Sequence, residues 1–320
     1  MKYIFLWCLE TKNMGSCIEF DMMCEYIYRG NLNNVIHIDE KNIHDFDLKD
    51  MIENQDYKMI ILASIQILRK TNDFMRYIYQ LPYIPKLKEC IFIHMGDEGF
   101  DRPSDTDRNK LYSLFKGVVR FGNKDITKVS ENIPVLPMGY ISGMYGDGSI
   151  LKSSQRKYIW AWLGSLKLDR RNMLETLSNT TQGEYFIRNS QNWKKAMHLS
   201  GPESKKIIRH SKFVPCSCGN AHVEGARYAE ALESGAIPLI KKYKIGEVAE
   251  LRFGFDDYYT LLFKNPHPLP SFYDWNEMKD FIDNISDTDL DILQNKCINW
   301  WVETKTFFGL ELSNFIKSKY

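Results

Sequence analysis

Two stretches carry the reading of the fold: Ser211-Lys212-Phe213-Val214-Pro215-Cys216-Ser217-Cys218-Gly219 and, after a short loop, Arg227-Tyr228-Ala229-Glu230-Ala231-Leu232-Glu233-Ser234-Gly235-Ala236-Ile237-Pro238-Leu239-Ile240. Lys212–Cys216 is a short apolar run with the composition of a buried strand. The loop Gly219–Gly225 begins and ends with glycine, which permits close backbone approach. A helix is expected over Glu224–Ser234, stopped by Gly235, and a second buried strand over Ile237–Lys241. Strand, loop, helix and strand make the repeating unit of a parallel α/β sheet. Arg227 and Glu230 stand three apart and share one helix face. There Arg227 suits phosphate oxygens and Glu230 suits ribose hydroxyls, with a diphosphate on the helix N-terminus behind the loop. A plain β-loop-α unit with a surface Arg–Glu pair fits the same spacing.

The same alternation extends outward in both directions. Strands are predicted over Lys2–Leu6, Asn34–Ile38, Lys58–Ser64, Glu89–His94, Gly117–Phe121 and Ile133–Pro137, with helices over Ile18–Arg29, Asp73–Gln80 and Asp105–Phe115. Ser104 is the expected N-cap of the last of these. The Gly- and Ser-rich segment Gly139–Ser154 breaks the periodicity and reads as a linker. Strand Tyr158–Leu163, helix Asp169–Leu177, strand Tyr185–Arg188 and helix Glu203–His210 then lead into the stretch quoted above. From about Asp287 to Tyr320 the chain reads as helix, anchored by Trp300, Trp301, Phe307, Phe308, Leu312 and Phe315. The expected architecture is α/β, with two Rossmann-like domains facing across a cleft and a C-terminal helix packing back on the first. The boundaries are 1–145, 155–290 and 291–320. Ligands of such sheets bind at the carboxyl ends of the strands.

Composition narrows the function classes. The 320 residues are 44% hydrophobic and 26% charged, an ordinary globular make-up with length enough for two cores. Lys and Arg number 42 against 41 Asp and Glu, so no overall basic excess exists to hold a nucleic-acid backbone. No apolar run reaches the ~18 residues of a membrane span, and the N-terminus resembles a first strand more than a secretion signal. Seven cysteines, an odd number mostly in apolar contexts, suit a reduced, cytoplasmic chain.

The pattern Cys216…Gly219…Arg227-x-x-Glu230-Ala231-Leu232-x-x-Gly235-x-Ile237-Pro238 resembles the signature of exostosin-like glycosyltransferases, ribitol xylosyltransferase relatives included. Trp162-Leu163-Gly164-Ser165, with Asp169-Arg170-x-x-Met173-Leu174, is similar to that family's strand, Gly–Ser loop and helix-opening arginine. Ile93-His94-Met95-Gly96-Asp97-Glu98, Val118-Val119-Arg120-Phe121 and Pro134–Tyr140 resemble further segments. One departure is Ser217-Cys218, where family members often carry Pro-Arg. A basic contact to the diphosphate would then come from elsewhere, with Arg170 the candidate. The resemblance implies an inverting GT-B enzyme using a nucleoside-diphosphate sugar. UDP-xylose, UDP-glucuronic acid and UDP-N-acetylglucosamine head the list of donors, and a glycan hydroxyl is the acceptor. It implies donor contacts from Gly164, Ser165, Arg170, Gly219, Arg227 and Glu230, with no metal required.

Inverting transfer also needs a general base. Asp97 and Glu98 follow an apolar strand, and adjacent carboxylates can raise one another's pKa; a loop or helix-capping acid pair fits equally. Arg120 suits a cleft carboxylate or a structural ion pair, and His94 reads as a strand residue facing the core or a neighbour. Asp256-Asp257 reads as a solvated turn. Cys216, Cys218 and His222 could supply three zinc ligands, but no fourth is apparent. A non-catalytic nucleotide-sugar-fold binding protein and a zinc-stabilised interaction protein are the rival classes.

Overall fold

The computed structural model describes residues 1–8, 20–64, 78–79, 81–83, 86–95, 105–121, 133–141, 143–144, 146, 148–164, 166, 169–178, 183–187, 201–217, 226–243, 263 and 266–320. They form two compact units. The first comprises Met1–Met138 with Lys305–Tyr320, and the second Gly139–Thr304. Residues 287–304 fall in the second unit and 305–320 in the first.

In the first unit, strands β1 (Lys2–Cys8), β2 (Val35–Ile38), β3 (Tyr57–Ser64), β4 (Ile91–Met95), β5 (Gly117–Phe121) and β6 (Val135–Leu136) form one sheet, ordered β2-β1-β3-β4-β5-β6. Every pairing is parallel. Parallel strands are covered on both faces, so they read as continuous apolar runs. Accordingly β1 is buried from Tyr3 to Cys8 and β4 over its whole length. Helices α1 (Phe20–Arg29), α2 (Leu48–Glu53) and α3 (Asp105–Tyr112) belong to this unit. Ile4, Leu6, Ile61, Phe92 and Val118 form a core with Leu48 and Met51 of α2 and with Leu111 and Tyr112 of α3. The sequence pattern does not anticipate α2. It is a six-residue helix started by Asp47, whose side chain accepts from the Asp50 amide.

The second unit has its own all-parallel sheet: β7 (Tyr158–Gly164), β8 (Gly183–Ile187), β9 (Ser211–Cys216), β10 (Ile237–Lys241) and β11 (Ser271–Phe272), ordered β11-β10-β9-β7-β8. Its helices are α4 (Arg170–Leu177), α5 (Gly201–Arg209), α6 (Arg227–Glu233), α7 (Trp275–Asn284) and the long α8 (Asp287–Lys319). The expected glycine stop is present. Gly235 sits at φ +68°, where a side chain is strained, and Ala236 N–H returns to the Ala231 carbonyl at 2.8 Å. Strand β11 and helix α7 are additions to the expected elements.

At the amino ends of β9 and β10 lies Arg156, which donates to the carbonyls of Leu151, Ser211 and Ser234. Burial, with Arg209 nearby, pushes its guanidinium down to about 10. One buried cation thus binds three chain segments at the opposite end from the strand tips.

Helix α8 buries Leu290, Gln294, Cys297, Trp301, Phe308, Leu312 and Ile316, close to the period of an α-helix. Up to Thr304 it packs in the second unit, where Trp301 Nε1 donates to Glu233 Oε1 at 2.6 Å. From Lys305 it packs in the first unit, as the expected closing helix. There Lys305 meets Glu25 at 3.1 Å, and Phe308 lies edge-on to Tyr26. Gly309 crosses Gly30 so closely that a Cβ on either residue would press on backbone atoms of the other segment.

Several expectations fall on residues outside those described. They are Asp97, Glu98, Ser104, Ser165, Cys218, Gly219, His222, the loop Gly219–Gly225, the pair Asp256-Asp257 and most of the helix Asp73–Gln80.

Candidate active site

The carboxyl ends of β7, β9 and β10 carry a group of described polar side chains. Strand β7 ends at Gly164, where a Cβ would sit 2.9 Å from the Trp162 indole, so glycine lets the strand end lie against that ring. Next comes Asp169, just before α4. Its carboxylate accepts from Tyr243 Oη at 3.0 and 3.1 Å and from Trp275 Nε1 at 3.1 Å. Burial raises the Asp169 pKa, partly opposed by those two donors and by the charge of Lys241. Lys241, at the end of β10, is 5% exposed. Its ammonium donates to the carbonyls of Lys242 and Tyr273 and lies over the rings of Tyr243 and Trp275. These contacts fix the start of α4.

Arg170 opens α4 on this fixed base. Its Nε donates to Ser217 Oγ at 3.0 Å, and its guanidinium carbon lies 6.0 Å from the Trp162 ring centroid. Ser217 directly follows the last residue of β9. The structure therefore brings Arg170 to the loop in which the sequence lacks a basic residue.

Arg227 and Glu230 sit on the first turn of α6. Arg227 Nη1 lies 2.7 Å from Glu230 Oε2, with the arginine side chain 27% exposed and the glutamate 4%. Beyond that guanidinium, no described residue donates to buried Oε2. An anionic oxygen withdrawn from water and held by one cation is an unusual and costly arrangement. A ligand hydroxyl donating to it would offset that cost.

Cys216 lies within the fields of Arg227 and Glu230. Its thiol donates to the Val214 carbonyl at 3.2 Å, and burial pushes its pKa up. That environment favours the neutral thiol over the thiolate that zinc requires. Among the described residues no cluster of three or more metal-ligating side chains occurs.

In the first unit, His94 and Arg120 are register partners on β4 and β5, 4% and 6% exposed. His94 Nδ1 is 2.7 Å from Tyr112 Oη, and its ring stacks on Phe92 with centroids 5.9 Å apart. His94 is thus a buried strand residue held by a neighbour. Arg120 stands beside it at the carboxyl end of the sheet, one residue before the end of β5.

Sequence spacing points to Arg227 and Glu230, and the family resemblance to Arg170, but neither points to Lys241, Tyr243 and Trp275 around Asp169. The signal for these was slight: a lysine closing an apolar strand and an aromatic two residues on.

Solved structures share this architecture. An α-glucosyltransferase in complex with UDP-glucose and DNA is 13% identical, matched over 93% of this chain and 94% of that one, with TM-score 0.53. HepE from Anabaena, in complex with UDP and glucose, is 8% identical over 99% and 100% of the two chains, with TM-score 0.54. Trehalose-6-phosphate synthase OtsA is 9% identical over 100% and 99%, with TM-score 0.52. No curated protein sequence matches the chain. Two all-parallel α/β units and this set of neighbours define the GT-B glycosyltransferase class. Residues 144–320, more than half of the chain, match the model of the RXYLT1 C-terminal domain, and the chain belongs to that family of glycosyltransferases.

Proposed function

We propose that this enzyme transfers a sugar from a nucleoside-diphosphate donor to a glycan hydroxyl, with inversion at the anomeric carbon. UDP is the nucleotide we favour, because solved neighbours include complexes with UDP, UDP-glucose, or UDP and glucose. UDP-xylose leads the donors, on the name of the matched family alone.

The observation that carries the reading is the Arg227–Glu230 pair, a buried carboxylate held by a partly exposed guanidinium on the first turn of α6. In this reading Glu230 accepts from the ribose hydroxyls and Arg227 approaches the phosphates. Arg170, with the Gly164-Ser165 and Gly219 loops, meets the diphosphate. Negative charge that develops on the leaving diphosphate is stabilised by fixed cations, without a metal. The first unit takes the acceptor near Asp97 and Glu98, one of which removes the hydroxyl proton, while Arg120 steadies the local carboxylates.

A balanced net charge supports a glycan acceptor over a nucleic acid. The odd number of cysteines, seven, supports a reducing, cytoplasmic setting. Among the described residues no helix is long and apolar enough to cross a membrane.

The test is calorimetric titration of UDP, GDP, CDP and NAD, each with and without EDTA. One nucleoside diphosphate should bind, indifferent to EDTA. Glu230→Ala should weaken it about 10- to 150-fold, the equivalent of one charge-assisted hydrogen bond of about 1.5–3 kcal/mol. Unchanged affinity in Glu230→Ala refutes the ribose assignment. Donor binding without turnover on any glycan would support the non-catalytic rival. No nucleotide binding, with melting lowered by EDTA, would support the zinc rival.

A further inference from the structure

We infer that Ser217 is a positioning residue for Arg170, setting the plane in which that guanidinium meets the donor's diphosphate; the inference rests on the donor-site reading above. An arginine side chain has about 2 kcal/mol of rotamer entropy, much of it lost when it binds an anion. Here the freedom is removed beforehand by three restraints acting from different directions.

The backbone at the start of α4 is fixed because neighbouring Asp169 is hydrogen-bonded to Tyr243 and Trp275, 74 and 106 residues away in sequence. The guanidinium carbon lies over the Trp162 indole, 6.0 Å from the ring centroid. Its Nε donates to Ser217 Oγ at 3.0 Å, across 47 residues of sequence. A ring contact limits the height of a planar group but leaves it free to turn about its own normal. The hydrogen bond at Nε removes that last rotation, and a guanidinium fork held in one plane is suited to a phosphate.

Ser217 is also well placed. It is the first residue beyond β9, at the carboxyl end of the sheet where ligands of open α/β sheets bind. Neither its composition nor its spacing identifies it as functional, and the hydroxyl never needs to touch the donor.

The experiment compares UDP with uridine, by calorimetry for UDP and by ligand-observed NMR displacement for uridine. The proteins are the full wild-type chain, Ser217→Ala, Ser217→Thr, Arg170→Ala and the double variant, each checked for its melting temperature. Ser217→Ala should weaken UDP about 3- to 10-fold, the order expected when one ordered side chain must be immobilised on binding. Uridine, which lacks phosphates, should bind as before. Ser217→Thr, which keeps the hydroxyl, should restore UDP binding. In the Arg170→Ala background the Ser217→Ala change should add nothing, because the two act as one unit.

Unchanged UDP affinity in Ser217→Ala overturns the inference. So does an equal loss for uridine, which would mark general loosening of the loop, or a loss that persists without Arg170. A wild-type chain that binds neither UDP nor uridine refutes the donor-site reading itself, and the inference falls with it. UDP binding by the wild type with an indifferent Ser217→Ala refutes the inference alone.

Discussion

Replacing Gly309 with alanine tests the packing of the closing helix, because two opposed effects of known size decide the sign. In a helix interior alanine is favoured over glycine by about 1 kcal/mol, from reduced backbone freedom in the unfolded chain. At Gly309 the new Cβ would lie 2.8 Å from the Tyr26 carbonyl oxygen, 2.9 Å from the Gly30 nitrogen and 3.0 Å from Arg29 Cβ. Two of these are main-chain atoms of the α1 end, so no rotamer change relieves them. The helices must separate by several tenths of an ångström, which loosens Phe308 against Tyr26 and stretches the 3.1 Å Lys305–Glu25 pair. Overpacking of this kind costs about 1–3 kcal/mol, and rigid neighbours place it in the upper half of that range. The expected net change is a loss of about 1–2 kcal/mol. With about 2–4 °C per kcal/mol for a unit of this size, melting should fall by about 2–8 °C. Gly30→Ala should cost more, since its Cβ would overlap the Gly309 carbonyl oxygen. Urea and thermal denaturation of the full chain measure both variants. A Gly309→Ala protein more stable than wild type would show that α8 does not cross α1 at this distance, and the argument would be wrong.

Three further outcomes are expected. Burial pushes the Glu25 carboxyl up, but Lys305 and Arg29 outweigh it and hold it below its ordinary value. Its contribution is therefore complete above about pH 4.5 and lost as the pH falls through the depressed folded value. Glu25→Gln should lower stability at pH 7 by about 1–2 kcal/mol and flatten the acid limb, as read by denaturation across pH 2–7; a parallel, unchanged limb would exclude the linkage. Gln294, 3% exposed, accepts from the Ser153 amide at 2.8 Å and donates to Leu151 O at 2.8 Å and Gly235 O at 2.7 Å. Gln294→Leu should cost about 2–4 kcal/mol by leaving the buried Ser153 amide and Gly235 carbonyl without the partner Gln294 gives them, while Leu151 O keeps Arg156, and a change in the urea midpoint worth under 0.5 kcal/mol would contradict the network. Asp97→Asn and Glu98→Gln should each keep UDP affinity within about twofold, while one reduces turnover by about 100-fold or more. Full activity in both discards a base in this pair.

Much of the second sheet is legible in the linear chain because its strands advertise themselves locally. Tyr158–Gly164, Ser211–Cys216 and Ile237–Lys241 are apolar runs bounded by polar or glycine-containing turns, and Gly235 marks a helix end that needs a positive φ. Arg227 and Glu230 are legible as a pair because helical spacing alone puts them on one face. The short elements escape. β11 is two residues long, α2 has six, and α7 announces itself only through Asp274 capping ahead of Trp275, Met278 and Ile282.

Local pattern therefore determined the element types, the alternation that implies parallel sheets, and the candidate Arg–Glu pair. The tertiary structure alone decided which distant residues meet. In the second sheet β9 lies between β7 and β10, an order that no periodicity encodes. That order sets Arg170 against Ser217. Packing of α7 and the turn after β10 brings Trp275 and Tyr243 onto Asp169, and the path of α8 sets Gly309 against Gly30. Periodicity records which face of an element is apolar. The partner of that face is chosen by the burial and hydrogen bonding of the whole unit, and those terms exist only once the chain has folded.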